Sequence, residues 1–208
     1  MRGMAFLLGT SLLVLTACTG RTDGTALPSS RESQSTTASP PDDTLPGAGV
    51  PKVDNPIDIS HFQQLPCDSL TPEQSKELLG PDVTTNPAVD DEAGPTCRWN
   101  VPAVSQAGVG VTYFKTTRLG LTGIYRAKDT VYPFFEPLEP IDGYPTVAFG
   151  QIDERSTRGR CLLALGTSDT QQVDISISLS EAKVGKKDPC AAAHDVAAKV
   201  LDNLRKAR

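Results

Sequence analysis

The sequence predicts an α+β domain: a mainly antiparallel sheet of about six short strands with about three helices, held by two disulfides. Three observations lead there. Val173, Ile175, Ile177 and Leu179 alternate with polar residues, the period-two pattern of a strand with one core face and one wet face. After Asp188-Pro189, the residues Ala193, Val196, Ala197, Val200, Leu201 and Leu204 recur at spacings of three and four, the apolar stripe of an amphipathic helix. Short apolar runs elsewhere are separated by turn residues, so the strands are expected to join mainly as hairpins, with the helices packed on one face.

The N-terminus reads as a targeting segment. Arg2 supplies a positive start, and Met4 to Val14 is nearly all apolar. A run of that length suits a signal peptide and is shorter than the roughly 20 apolar residues of a membrane span. It ends in Leu15-Thr16-Ala17-Cys18, an aliphatic residue and two small ones before a cysteine, the pattern of a bacterial lipobox. Small residues at that point leave the backbone and thiol accessible to processing enzymes. Residues 1–17 are therefore expected to be removed and Cys18 to carry the lipid. Two acyl chains, such as palmitate, anchor stably where one binds only marginally. The competing expectation is an ordinary secretory signal with Cys18 unmodified. Residues 18–56 are rich in Ser, Thr, Pro and Gly and poor in large apolar side chains, which predicts a disordered tether. Its mean reach would be about 35 Å and its limit about 120 Å. His61-Phe62-Gln63-Gln64-Leu65 marks the approach to a single domain over residues 57–208.

Within that domain the first helix is signalled by Leu70-Thr71-Pro72-Glu73-Gln74: Thr71 as N-cap, Pro72 at the first helical position and Gln74 completing a capping box. Leu78 and Leu79 give an apolar face, and Gly80-Pro81 ends it. Asp90 to Pro95 reads as loop. Strands follow at 97–101 and 109–114, with Ala107-Gly108 near their turn. A helix is expected over 116–128 with Leu119, Ile124 and Tyr125 inward, although Gly120 and Gly123 weaken it. Strands at 134–138 and 144–149 flank the turn dipeptide Asp142-Gly143. Strands at 160–165 and 172–179 form the clearest hairpin. In the last helix Lys199, Arg205 and Lys206 sit mostly in the C-terminal half, favourable for the helix dipole.

The chain carries a net charge of −5 and a single Trp. Nucleic-acid binding needs clustered Lys and Arg, so no nucleic-acid partner is expected. Setting Cys18 aside leaves Cys67, Cys97, Cys161 and Cys190, an even set that reads as two disulfides in an exported chain. Three connectivities are open. Cys67–Cys97 with Cys161–Cys190 is preferred because each closes a short loop within one half of the domain. Without a Cys-x-x-Cys pair or zinc-type His spacing, no metal or other cofactor is expected.

Chemical groups that could support catalysis are few. His194-Asp195 is a neighbouring pair, but adjacent residues on a helix do not face each other, so it reads as a helix surface. His61 lies at the tether boundary. Paired cysteines cannot serve as nucleophiles. Asp90-Asp91-Glu92 lacks the alternating ligand pattern of a calcium loop. Asp153-Glu154-Arg155 and Lys186-Lys187 read as charged turns, and Trp99 as a core residue beside a disulfide. No catalytic residue is assigned, and the expected role is non-enzymatic.

The ordered set of Cys18, the tether, Pro66-Cys67-Asp68-Ser69-Leu70-Thr71, Cys97-Arg98-Trp99, Asp142-Gly143-Tyr144-Pro145, Cys161 and Asp188-Pro189-Cys190-Ala191 resembles a family of exported actinobacterial lipoproteins of unknown function, the LprB/LprC-like lipoproteins of mycobacteria and relatives. The resemblance covers nearly all of the expected mature domain. It implies four paired cysteines and a location at the cell membrane, lipid-anchored on the extracytoplasmic face; it implies no activity and no catalytic residue. One departure is the pair Gly120 and Gly123, where relatives carry a more charged helix. The expectation is a membrane-anchored module that binds a protein, glycan or lipid of the envelope. The rivals are a lipid or small-molecule carrier with an apolar cavity, and a hydrolase.

Overall fold

The computed structural model describes residues 44–104 and 106–207. Cys18, the expected signal peptide 1–17 and most of the expected tether lie outside the described residues. The described residues form one compact unit with a hydrophobic core and both disulfides, the attributes of an independently folding domain.

The fold is α+β, with seven strands in one antiparallel sheet. The strands are β1 (Thr84–Ala88), β2 (Thr96–Asn100), β3 (Gly108–Tyr113), β4 (Phe134–Ile141), β5 (Tyr144–Gly150), β6 (Arg160–Ser168) and β7 (Gln171–Ser178), in the spatial order β1-β2-β3-β7-β6-β5-β4. Two meanders thus meet: β1 to β3, then a crossing to the far edge, then β4 to β7 returning so that β7 pairs with β3. Five helices are described: α1 (Ser60–Gln64), α2 (Pro72–Leu79), α3 (Leu121–Arg126), α4 (Arg155–Arg158) and α5 (Pro189–Lys206). Short 3-10 turns occupy Pro66–Ser69 and Glu181–Lys183.

The strongest local signals produce the expected elements. Thr71 Oγ1 accepts from the Gln74 amide at 3.2 Å while Gln74 Oε1 accepts from the Thr71 amide at 2.8 Å, so the capping box of α2 is complete. Asp188 caps α5 through the Cys190 amide at 2.8 Å. Asp142 and Gly143 both take positive φ, as a two-residue type I′ hairpin requires.

Four expectations need correction. β1 is a seventh strand, missing from the expected set because Thr84-Thr85-Asn86-Pro87-Ala88 has no apolar alternation. The helix expected over 116–128 is shortened to α3, because Gly120 has φ +50° and any Cβ there would lie 2.8 Å from the Asp169 carbonyl oxygen. Helices cover both faces rather than one. One face carries α5 over β6 and β7, with Val111, Tyr113, Leu163, Leu165, Val173 and Ile175 beneath; on the other, Leu121 and Ile124 of α3 pack on Val147, Phe149 and Ala164. Packed chain also begins before residue 57: Val53 is buried, its amide donates to Asp169 Oδ1 at 2.9 Å, and Gly47 donates to Thr122 Oγ1 at 3.1 Å. Residues 44–59 strap the β6–β7 end of the sheet, where the Ile57 amide also reaches the Thr167 carbonyl.

The disulfides are Cys67–Cys97, joining the first 3-10 turn to β2, and Cys161–Cys190, joining β6 to the start of α5. Of the three possible connectivities the structure has the local one. Both edge strands carry proline, Pro87 in β1 and Pro137 and Pro140 in β4, which removes amide donors where another strand could add.

Candidate functional site

α2 presents Ser75, Leu78 and Leu79 on one side, the three- and four-residue spacing of a single helix face. Ser75 is buried, but the two leucines are only half-buried. They form one wall of a groove of about 500 Å³. Val196 and Ala192 of α5 form the opposite wall, and Val101 and Val104 of the β2–β3 connection close one side. The floor is Val109, Ile177 and Leu179, all buried in the core. The volume lies in the range of small-molecule sites, and the lining is mainly apolar with a few polar groups at the rim, as such sites require.

Two side chains of α5, Asn203 and Lys199, tie it to α2 and to the turn before it. Asn203 Nδ2 donates to the Ser69 carbonyl at 2.9 Å and to Gln74 Oε1 at 2.7 Å. Lys199 Nζ meets both carboxylate oxygens of Glu77 at 3.1–3.2 Å. Beneath α2, the Ser69 hydroxyl donates to the Pro66 carbonyl, so the buried Tyr113 hydroxyl must donate to Ser69 Oγ, 2.7 Å away. Burial pushes the Tyr113 phenol far above its ordinary range, so it stays a neutral donor. These bonds link the helices that form the two walls of the groove.

Charge at the rim is asymmetric. Lys183 and Lys187 enter from the β7–α5 connection, where Lys187 N donates to the Lys183 carbonyl at 3.1 Å. Neither lysine forms an ion pair among the described residues, whereas Glu77 is engaged by Lys199. Asp195 is the other carboxylate at the rim.

A second surface lies on the opposite face of the sheet, running from the β1 edge to the strands that α3 covers. In register across seven strands stand Asn86, Arg98, Gly110, Ser176, Leu162, Phe149 and Phe135. Gly110 lowers the floor of this row, and a Cβ there would strike the Ser176 hydroxyl. Phe134, Phe149, Leu162 and Ser176 line a depression of about 460 Å³ at its far end. Arg98 is tied to Asp91 at 3.1 Å. Deeper in the same face, Asp174 is buried with Gln172 Nε2 donating to it at 2.8 Å, and burial raises its carboxyl to about 7.

The residues considered for chemistry are not brought together. His61 Nε2 meets Asp68 Oδ2 at 2.9 Å on an exposed surface. His194 Nε2 lies 2.8 Å from the Glu139 carbonyl oxygen, so the two histidines have separate partners. Asp91 serves Arg98, and Asp153 and Glu136 share Arg155, which holds the Asp153 carboxyl below its ordinary range. Trp99 is 2% exposed, two residues from Cys97 on the same strand face. Among the described residues no cluster of three or more His, Cys, Asp or Glu could hold a metal ion, and no helix is long and apolar enough to cross a membrane. The groove has no signature in the sequence because its two lysines and two leucines lie more than 100 residues apart in the chain. Asp174 has none because it occupies a position the alternation assigns to solvent.

Compared with known proteins, residues 13–203 match the model of a family described as protein of unknown function (DUF3558). No curated protein and no solved structure matches.

Proposed function

This chain belongs to the DUF3558 family, and we propose that it works as a lipid-anchored binding protein of the cell envelope, not as an enzyme. The observation that carries the binding role is the groove between α2 and α5, with an apolar floor, apolar walls and a hydrogen bond from Asn203 to Gln74 tying its two helices together. The titratable groups on its rim are Glu77, Lys183, Lys187 and Asp195, and neither His61 nor His194 is among its lining residues. Such a site can hold an apolar ligand and has no means of cleaving it by histidine-assisted attack.

The anchor reading rests on Leu15-Thr16-Ala17-Cys18 and is supported by two disulfides, which persist in oxidising compartments. With Cys18 acylated, the domain would sit on the extracytoplasmic face of the cell membrane at the end of a Ser/Thr/Pro-rich tether. The ordered motifs Pro66–Thr71, Cys97–Trp99, Asp142–Pro145 and Asp188–Ala191 favour placing the chain with the LprB/LprC-like actinobacterial lipoproteins. Mass spectrometry of the N-terminal peptide from membrane-extracted protein tests the anchor. A diacylglyceryl Cys18 as the first residue is expected; a free Cys18 thiol, or residues 1–17 still attached, contradicts it. Native mass spectrometry of the protein released gently from its own envelope tests the binding role. A bound apolar ligand is expected, and uniformly bare protein contradicts it.

A second reading is favoured by the register row on the opposite face. Arg98, Gly110 and Ser176 form a polar, low-floored strip that would suit a glycan or protein surface. Loss of envelope cross-linking on Ser176→Trp, with groove binding intact, would select that reading.

A further inference from the structure

Resting on the groove as the binding site, we propose that its ligand is a single-chain amphiphile with an anionic head, the chain lying on Leu78, Leu79 and Val104 and the head between Lys183 and Lys187. The groove, at about 500 Å³, falls in the lower half of the usual range for small-molecule sites, which fits one alkyl chain better than several. Leu78 and Leu79 stay half-buried although they face the core side of α2, so the folded chain alone leaves apolar surface there uncovered.

The head-group chemistry follows from the rim. Lys183 ends the 3-10 turn Glu181–Lys183, and the amides of Lys186 and Lys187 both donate to its carbonyl, at 3.0 and 3.1 Å. This turn brings two ammonium-bearing side chains, four residues apart, to one end of an apolar groove. Both lack an ion-pair partner among the described residues in a chain of net charge −5. Ser180, beside them, can donate a hydroxyl hydrogen bond to the same head. The opposing charge is smaller: Glu77 is neutralised by Lys199, which leaves Asp195 on the α5 side. A carboxylate or phosphate head gains at the lysine end, and a cationic head does not.

The test compares three ten-carbon probes of matched chain: decanoate, 1-decanol and decyltrimethylammonium. Each is titrated below its aggregation limit into the disulfide-intact domain of residues 41–208, at pH 8 and low salt, with binding read by calorimetry. Decanoate is expected to bind about tenfold more tightly than decanol, two exposed cationic contacts of modest strength, and the cationic probe most weakly. Lys183→Gln with Lys187→Gln is expected to bring decanoate down to the decanol value. Val104→Asn, on an exposed loop where folding is not at stake, makes the groove polar without adding charge and is expected to weaken decanol and decanoate alike. Equal binding of all three probes, still lost in Val104→Asn, overturns the anionic head and leaves the groove as a binding site. Tighter binding of the cationic probe overturns it in favour of Asp195. Binding of no probe overturns both this inference and the groove reading.

Discussion

Asn203 on α5 donates to Gln74 on α2 at 2.7 Å, through the same Oε1 atom that closes the capping box of α2. A residue whose local role is visible in the sequence therefore also joins two helices 129 positions apart. With the Asn203 bond to the Ser69 carbonyl, this joint sets the width of the groove. Asn203→Ala should lower stability by about 1–2 kcal/mol, because two partly buried hydrogen bonds, to the Ser69 carbonyl and to Gln74 Oε1, are lost. Urea unfolding followed by Trp99 fluorescence measures this. Trp99 is the single tryptophan and is 2% exposed, so its emission should shift red on unfolding. Lys199→Gln removes only an exposed ion pair and should cost less than about 1 kcal/mol.

Asp174 faces Thr112 on β3 and Ala164 on β6, with Gln172 as its hydrogen-bond donor and no cation bonded to it among the described residues. Its carboxyl is raised from 3.8 to about 7 by burial. Below about pH 4 the folded and unfolded states both carry the proton, and above about pH 7 neither does. Between those limits only the folded state holds it. The contribution of this group to stability is therefore full below about pH 4 and is lost as pH rises through about 7. Asp174→Asn keeps an oxygen for Gln172 and removes the ionisation. It should flatten the stability profile across that window and be more stable than the parent at pH 8, by roughly 1–3 kcal/mol. Denaturant midpoints at pH 4, 6 and 8 test this; an unchanged profile would show that Asp174 stays ionised.

Each disulfide closes a loop of about thirty residues, with sequence separations of 30 and 29. On the chain-entropy account each contributes roughly 3–4 kcal/mol by restricting the unfolded chain. The pair Cys161→Ala and Cys190→Ala should lower the denaturant midpoint accordingly while leaving the Trp99 emission of the folded state unchanged. The pair Cys67→Ala and Cys97→Ala should do both, lowering the midpoint and shifting that emission, since this bridge lies two residues from Trp99 on the same strand face.

Thr167 is fully buried, and its hydroxyl has no hydrogen-bond partner among the described residues. Its backbone carbonyl is used, by the Ile57 amide. Thr167→Val keeps the shape and removes the orphan polar atom, so it should be neutral or stabilising by about 1 kcal/mol. A loss of more than about 1 kcal/mol in thermal or urea unfolding would mean the hydroxyl is satisfied in solution.

Elements with strong local signals are legible in the sequence. The caps at Thr71 and Asp188 fix where α2 and α5 begin, and the alternation through Val173–Leu179 fixes β7. Illegible elements are those whose cause is tertiary. β1 has no apolar pattern because it is an edge strand that is almost wholly exposed; it exists by pairing with β2. α3 is cut short by the Asp169 carbonyl, a neighbour 49 residues away from Gly120. The strap over 44–56 looks like linker by composition, yet backbone bonds and the buried Val53 bind it down. The groove is least legible, because no local pattern brings Leu78 and Leu79 to Lys183 and Lys187.

If the groove between α2 and α5 is where this domain binds, a ligand must perturb its lining residues first. Backbone and methyl chemical shifts of the labelled residues 41–208, titrated with decanoate, test this most directly. Saturable shifts concentrated at Leu78, Leu79, Val104, Lys183 and Ala192 are the predicted result. No shifts there, or shifts concentrated on the opposite face at Arg98, Gly110 and Ser176, would contradict it.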